Sequence, residues 1–152
     1  MSIEARIQQM GITLPAAPKP AGAYVPVVVY GNTAYLSGQI SRDAQGSLIQ
    51  GKVGRDLALA DGMRAARAAA LNAVSLIQAE FGLDRVERIL RVVGYVQADP
   101  DFIEISQVVN GASELLQQIW GEAGTHARSS VGVASLPLNA AVEVELTIQL
   151  KA

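Results

Sequence analysis

The C-terminal stretch from Thr125 to Leu150 limits the possible fold more than any other part of this sequence. It reads T-H-A-R-S-S-V-G-V-A-S-L-P-L-N-A-A-V-E-V-E-L-T-I-Q-L. From Val142 onward the alternation is unbroken. Val142, Val144, Leu146, Ile148 and Leu150 fall on one side, and Glu143, Glu145, Thr147 and Gln149 on the other. A period of two is that of a strand with one buried face. The upstream half alternates less cleanly: Val131 and Val133 sit between Ser129 and Ser135, while Arg128, Ser130, Gly132 and Ala134 share the opposite side. Leu136-Pro137-Leu138-Asn139 interrupts the run with residues that suit a chain reversal. The pattern predicts two strands whose non-core faces carry an arginine, small residues and glutamates. Arg128 lies ten residues before the bend and Glu143 five after it, an offset of roughly 15 Å along the sheet at ~3.3 Å per residue.

An arginine among small residues has two readings. It is either an edge side chain pointing at solvent or a carboxylate site, since a guanidinium fork can grip both oxygens of an anion. Composition narrows the classes around it. A chain of 152 residues fits one domain with a sizeable core, and a hydrophobic half of the sequence excludes disorder. No apolar run approaches the ~18 residues of a membrane span, and the opening Met-Ser-Ile-Glu lacks the pattern of a secretory signal. The absence of cysteine rules out disulfides, thiol nucleophiles and thiolate metal sites, and inclines the expectation toward a cytoplasmic setting. A net charge of −2 without a basic cluster lacks the footprint of a nucleic-acid binder.

Taken in order, residues 2–10 suit a short helix capped by Ser2 and ended by Gly11. A proline- and alanine-rich connector follows, so residues 1–20 are a helix and connector within a single domain spanning 1–152. Val25–Tyr30 and Thr33–Ile40 form a predicted hairpin across Gly31-Asn32. Gly38, inside the second run, marks either a bulge or a place where another group approaches the backbone. After a loop from Arg42 to Gly54, Asp56–Phe81 carries apolar residues at helical spacing and is rich in alanine. Arg88–Val96 suits a strand covered on both faces. Asp99-Pro100-Asp101 then reads as the cap and first turn of a second long helix, whose stripe runs from Ile105 to Ile119 with Asn110 beside it. The order is β-β-α-β-α-β-β, an α+β chain. Two long helices can cover only one face of its sheet. The other face, expected to carry Tyr35, Ser37, Arg128, Ser130 and Glu143, then needs an oligomeric partner. His126, the only histidine, reads as a solvated residue in a turn.

The run A-R-S-S-V-G-V-A-S-L-P followed by A-V-E-V-E resembles the C-terminal signature of the Rid (YjgF) family of reactive-intermediate imine deaminases. S-G-Q at 37–39 resembles the family's second motif, and A-G-A-Y-V its G-P-Y, with Ala23 in place of the proline. The likeness spans roughly residues 21–150. It implies two long helices on one face of a mixed sheet and a chorismate-mutase-like trimeric barrel, with three sheets inside and helices outside. The implied activity is cofactor-free and metal-free hydrolysis of small enamines and imines, of the 2-aminoacrylate type, to a 2-oxo acid and ammonia. By motif, Arg128 would bind the substrate carboxylate and Glu143 would position the water. Gly38 would hold the ligand through its backbone, and Tyr24, Ser37, Asn110 and Ser130 would line the pocket, Ser130 standing where archetypes often have cysteine. The offset between Arg128 and Glu143 would then require sites shared between subunits. The N-terminal helix and the longer loop before Asp56 resemble a longer branch of the family. Two alternatives accompany this reading. One is a non-catalytic trimer that binds small carboxylates. The other is an endoribonuclease, a label some members carry, which the charge balance and the lack of a histidine pair disfavour. Ser129, Ser130 and Lys52 do not make a nucleophilic hydrolase, because no G-x-S-x-G elbow or histidine partner accompanies them.

Overall fold

The unbroken alternation of the C-terminus forms the strand at the centre of the sheet. In the computed structural model, which describes residues 1–152, β6 (Val142–Leu150) lies between β4 (Val86–Gln97) and the β2/β3 pair. The sheet order is β1 (Val27–Tyr30), β2 (Thr33–Leu36), β6, β4, β5 (Ala127–Val133), with the short β3 (Gln39–Ile40) also pairing β6. Only the β4–β5 pair is parallel, so the sheet is mixed. Val142, Val144 and Ile148 are fully buried and Leu146 nearly so. They meet α2 (Leu59–Glu80), and α3 (Ile105–Trp120) packs beside α2 over β4 and β5, while α1 (Ile3–Gln9) docks beside α3 through Ile7 and an Arg6 Nη1 bond to Ile119 O at 2.9 Å. Three helices therefore pack on a six-stranded sheet, the expected α+β architecture with α1 added to the two long helices. No helix is long and apolar enough to cross a membrane.

Close packing explains the small residues. Gly111 of α3 lies against Met63 of α2 so tightly that a Cβ would come within 2.9 Å of the Met63 carbonyl carbon. On β4, a Cβ on Gly94 would stand 2.6 Å from both γ-carbons of Val109. Ala65, Ala66, Ala69 and Ala70 of α2 are fully buried. Short side chains let both helices press onto each other and onto the sheet.

Both long helices begin later than expected. Asp56 does not open α2; its Oδ2 accepts the Lys52 N–H at 2.8 Å in the preceding loop, and Asp61 Oδ2 accepts the Ala58 N–H at 2.9 Å at the true start. Asp99-Pro100-Asp101 likewise closes on itself as a turn. Asp99 Oδ1 accepts the Asp101 N–H and Asp99 O the Phe102 N–H, both at 3.0 Å, and α3 starts only at Ile105. Aspartates serve turns as readily as helix caps, so spacing alone could not separate the two.

The expectation that Arg128 and Ser130 lie on the uncovered face is corrected. On β5, Arg128 pairs with Val92, Ser130 with Gly94 and Gly132 with Val96, all helix-facing positions of β4. A Cβ on Gly132 would touch Ile105 Cδ1 at 3.3 Å. Ser130 and Gly132 are small because α3 crosses above them, not because a ligand does. The uncovered face instead carries Tyr35, Val28 and Val131, each 41–53% exposed, together with Tyr95, Glu143 and Glu145.

Candidate functional site

The residues singled out in the sequence fall into two groups, on opposite faces of the sheet. The first surrounds Arg128. Its Nη1 donates to Asn110 Oδ1 at 2.8 Å and to Ser113 Oγ at 3.1 Å, and its Nη2 donates to Ser106 O at 3.3 Å. All three acceptors belong to α3. A guanidinium has five N–H donors, and three are engaged here. Nε–H and one Nη2–H remain for an anion in the open cleft of about 300 Å³ lined by Asn110, Ser113, Glu114, Gln117, His126 and Arg128. Nothing in the sequence marks Ser113, and His126 reads there only as a solvated turn residue. His126 is half-buried rather than solvated: Nδ1 is 2.6 Å from Gly124 O and Nε2 is 2.8 Å from Ser113 Oγ. Burial lowers its pKa, the Gly124 carbonyl opposes that, and Arg128 adds to the lowering.

The second group surrounds Glu143. Between β2 and β3 the pairing with β6 slips by one residue, so Ser37-Gly38 forms a bulge. Gly38 there lies against the Glu143 carboxyl; an added Cβ would collide with Oε1 and stand 2.9 Å from Cδ. Both readings of this glycine therefore hold, and the approaching group is a side chain of the same protein. Burial lifts the Glu143 carboxyl above its ordinary value, and the neighbouring Glu145 adds to the lift. Tyr24, Gly38 and Glu143 share a cavity of about 290 Å³ with Lys19, Arg42 and Leu138. Ser37 serves from behind, its Oγ donating to Val25 O at 2.7 Å and its N–H to Pro26 O at 2.9 Å, which ties down the segment bearing Tyr24. Ser130 belongs to neither cavity; its Oγ is buried on the Arg128 side of the sheet without a hydrogen-bond partner.

One wall of the second cavity comes from the reversal at Pro137–Asn139, where Leu138 (φ 58°) and Asn139 (φ 60°) are both left-handed. Leucine occupies that region rarely. Buried Gln97 holds the turn: Nε2 donates to Asn139 Oδ1 at 2.8 Å and to Gly51 O at 3.0 Å, and Oε1 accepts the Leu136 N–H at 2.8 Å. The sequence shows Gln97 only as a polar residue ending an apolar strand.

Within one chain the two groups do not meet. Arg128 stands opposite Val92 and Glu143 opposite Tyr95, on the two strands flanking β4. Their separation along the strands is three β4 residues, about 10 Å, rather than the expected offset of roughly 15 Å, with roughly 9–10 Å across two strand spacings. The offset is smaller because Val133 and Ala141 both meet Gln97, which centres the reversal on Pro137, nine residues after Arg128 and six before Glu143. The opposite faces separate the residues in a way the offset did not anticipate.

Residues 4–150 match the family described as "YjgF/chorismate mutase-like, putative endoribonuclease". The chain is 45% identical to protein TCP17 of Trypanosoma cruzi over 97% of its own length and 94% of that protein's. It is 32% identical to a 2-iminobutanoate/2-iminopropanoate deaminase of Dermatophagoides farinae, covering 92% of this chain and 95% of the relative. A solved structure from Shewanella oneidensis, whose description carries the endoribonuclease label, superposes with a TM-score of 0.94 at 36% identity, covering 99% of this chain and all of that one. The match over nearly the whole length, on the same helix-and-sheet layers, agrees with the motifs around Arg128 and Gly38: the chain belongs to the YjgF (Rid) family.

Proposed function

We propose that this chain works in the cytoplasm as a homotrimer that hydrolyses small enamines and imines of amino acids to 2-oxo acids and ammonia, at sites formed between subunits. The observation that supports it is the division of the site: a guanidinium with two free donors on one face, a burial-lifted carboxyl against a glycine on the other. The named deaminase relative supports the choice of substrate. Arg128 of one subunit binds the substrate carboxylate, with Asn110 fixing the guanidinium. Glu143 of the next subunit faces the imine carbon. Enamines reach the same point by tautomerising to the imine. The Glu143 carboxylate takes a proton from water as the oxygen adds to that carbon. It then returns the proton to the nitrogen, giving a carbinolamine. The carboxylate next takes the carbinolamine hydroxyl proton and passes it to the same nitrogen, and the C–N bond breaks as the C=O forms, leaving ammonia and the 2-oxo acid. A carboxyl whose pKa is lifted suits both halves of that exchange, since as a base it is stronger and as an acid it matches a neutral medium better. Tyr24 closes the cavity at the glutamate side, while Ser37 supports the pocket wall from behind. No metal or cofactor enters these steps.

The test is to generate 2-aminoacrylate enzymatically in the presence of the protein and follow pyruvate and ammonia. Release faster than the uncatalysed rate, lost in Arg128→Ala, is expected. Pyruvate binding without turnover would assign the chain to the non-catalytic, carboxylate-binding alternative.

A further inference from the structure

We propose that Ser113 and His126 are positioning residues for Arg128, and that the neutral imidazole holds the guanidinium in place while protonation releases it. This rests on the carboxylate-binding role given to Arg128 above.

The hydrogen bonds fix the proton positions. Gly124 O can only accept, so the contact at 2.6 Å places a proton on His126 Nδ1. The neutral ring then presents a bare Nε2, which accepts the Ser113 hydroxyl proton across 2.8 Å. The Ser113 oxygen, having donated, keeps lone pairs for Arg128 Nη1 at 3.1 Å. Every donor in the chain Arg128–Ser113–His126–Gly124 meets an acceptor. Asn110 Oδ1 takes the other Nη1 contact.

A second proton reverses this. Nε2–H now points at the Ser113 oxygen, whose own proton loses its acceptor, and two cations face each other across one hydroxyl. The other charged groups around the ring are Glu114 of α3, which lines the same cleft, Glu122 in the preceding 3-10 turn, and Arg88 of β4, which donates to Thr125 O at 3.2 Å. Glu114 and Glu122 attract the imidazolium, while Arg88 and Arg128 repel it. Only Arg128 is connected to the ring through a shared hydrogen bond, so the conflict falls on that side chain. The direction in which burial moves His126 keeps the ring neutral at neutral pH.

Nitrogen-15 NMR tests this on the intact protein, because the single histidine and the Arg128 guanidinium can each be followed. The guanidinium resonances should show slow, hydrogen-bonded rotation at pH 7.5 and faster rotation as the imidazole titrates. His126→Gln, which offers a non-titrating acceptor, should remove that pH dependence, and His126→Ala should loosen the guanidinium at every pH. With pyruvate as probe, binding should weaken on the order of 10-fold on the acid side, the scale of losing one charge-assisted bond, and Ser113→Ala should flatten that limb. Linkage then requires pyruvate to lower the His126 pKa, whereas direct attraction between a bound carboxylate and the imidazolium would raise it. A raised or unchanged pKa when pyruvate is bound overturns the proposal. So does a guanidinium that stays fixed through the imidazole titration, whatever the protein binds. If the guanidinium loosens as expected but the protein neither binds pyruvate nor hydrolyses imines, the positioning role stands and the deaminase reading fails.

Discussion

At the scale of single residues, side chains do two jobs that the sequence displays as one. The motif marks Arg128 as the proposed carboxylate binder, but gives no sign of the tie by which it fastens β5 to α3 through three hydrogen bonds. Arg128→Ala should therefore lower stability as well as activity. Leaving Asn110 and Ser113 without their donor costs about 1 kcal/mol in a cleft open to water, which is about 2–4 °C in Tm for a chain of this size; calorimetry beside the activity assay separates the two losses. Gly38 is the simpler case. Its φ is not among the left-handed values, so alanine fits the backbone and meets the Glu143 side chain first. Gly38→Ala should fold, displace that carboxyl and cut kcat strongly, while binding at Arg128 persists; full activity in this variant would remove the contact from the mechanism. The lifted pKa of Glu143 also has a definite sign. The folded state holds its proton more tightly than the unfolded chain, so stability falls as pH rises from the ordinary glutamate value through the raised one. Glu143→Gln removes that term and should gain Tm over wild type as pH climbs from 4 to 8, a difference that denaturation series can read.

At the scale of elements, periodicity carried most of the fold. The stripes of α2 and α3, the hairpin across Gly31 and the alternation of β6 all lie where the pattern puts them. What periodicity lacked was the orientation of β5, whose small residues satisfy a helix contact and a ligand pocket equally well. The signal that separates them is the matching gap on the neighbour: Gly94 of β4 and Gly132 of β5 both lie beneath α3, at Val109 and Ile105. Helix starts were missed for a related reason, since Asp56 and Asp99 spend their carboxylates on loops. The close packing predicts an order of damage. Gly111→Ala drives a methyl into the Met63 backbone, inside a helix that cannot shift locally, whereas Gly94→Ala meets the γ-carbons of Val109. A side chain can turn aside and a helix backbone cannot. Gly111→Ala should cost the more, about 3 kcal/mol or above, against roughly 1–2 kcal/mol for Gly94→Ala. Equal Tm losses would show that α2 and α3 slide apart at no extra cost.

At the scale of the whole molecule, the sheet leaves one broad face uncovered, with Val28, Tyr35 and Val131 partly exposed around the Tyr95–Glu145 hydrogen bond. That bond pushes the Tyr95 phenol up to about 12 and keeps it protonated at any pH the protein meets. A face with exposed valines and a tyrosine, and with Tyr95 already paired to Glu145, is suited to a second copy of the chain. Arg128 is turned away from this face and Glu143 toward it, so no rearrangement of rotamers within one subunit brings both to one small substrate. Docking a neighbour onto the open face can do so, if the Arg128 edge of one subunit reaches the Glu143 cavity of the next. In a cyclic trimer this recurs three times. Arg128→Ala and Glu143→Ala should then each be inactive alone and partly active together once subunits have exchanged. A mixed trimer has one interface between like subunits, which is inactive, and two between unlike subunits, of which one joins both intact residues and the other both alanines. A random mixture of equal amounts of the two proteins places an intact Arg128 beside an intact Glu143 at about one interface in four, so roughly a quarter of wild-type turnover is expected. Native mass spectrometry establishes the mixing and the imine assay the recovery. Mixed trimers without recovery would mean that Arg128 and Glu143 act in separate sites, and a chain that stays monomeric at micromolar concentration would remove the shared site altogether.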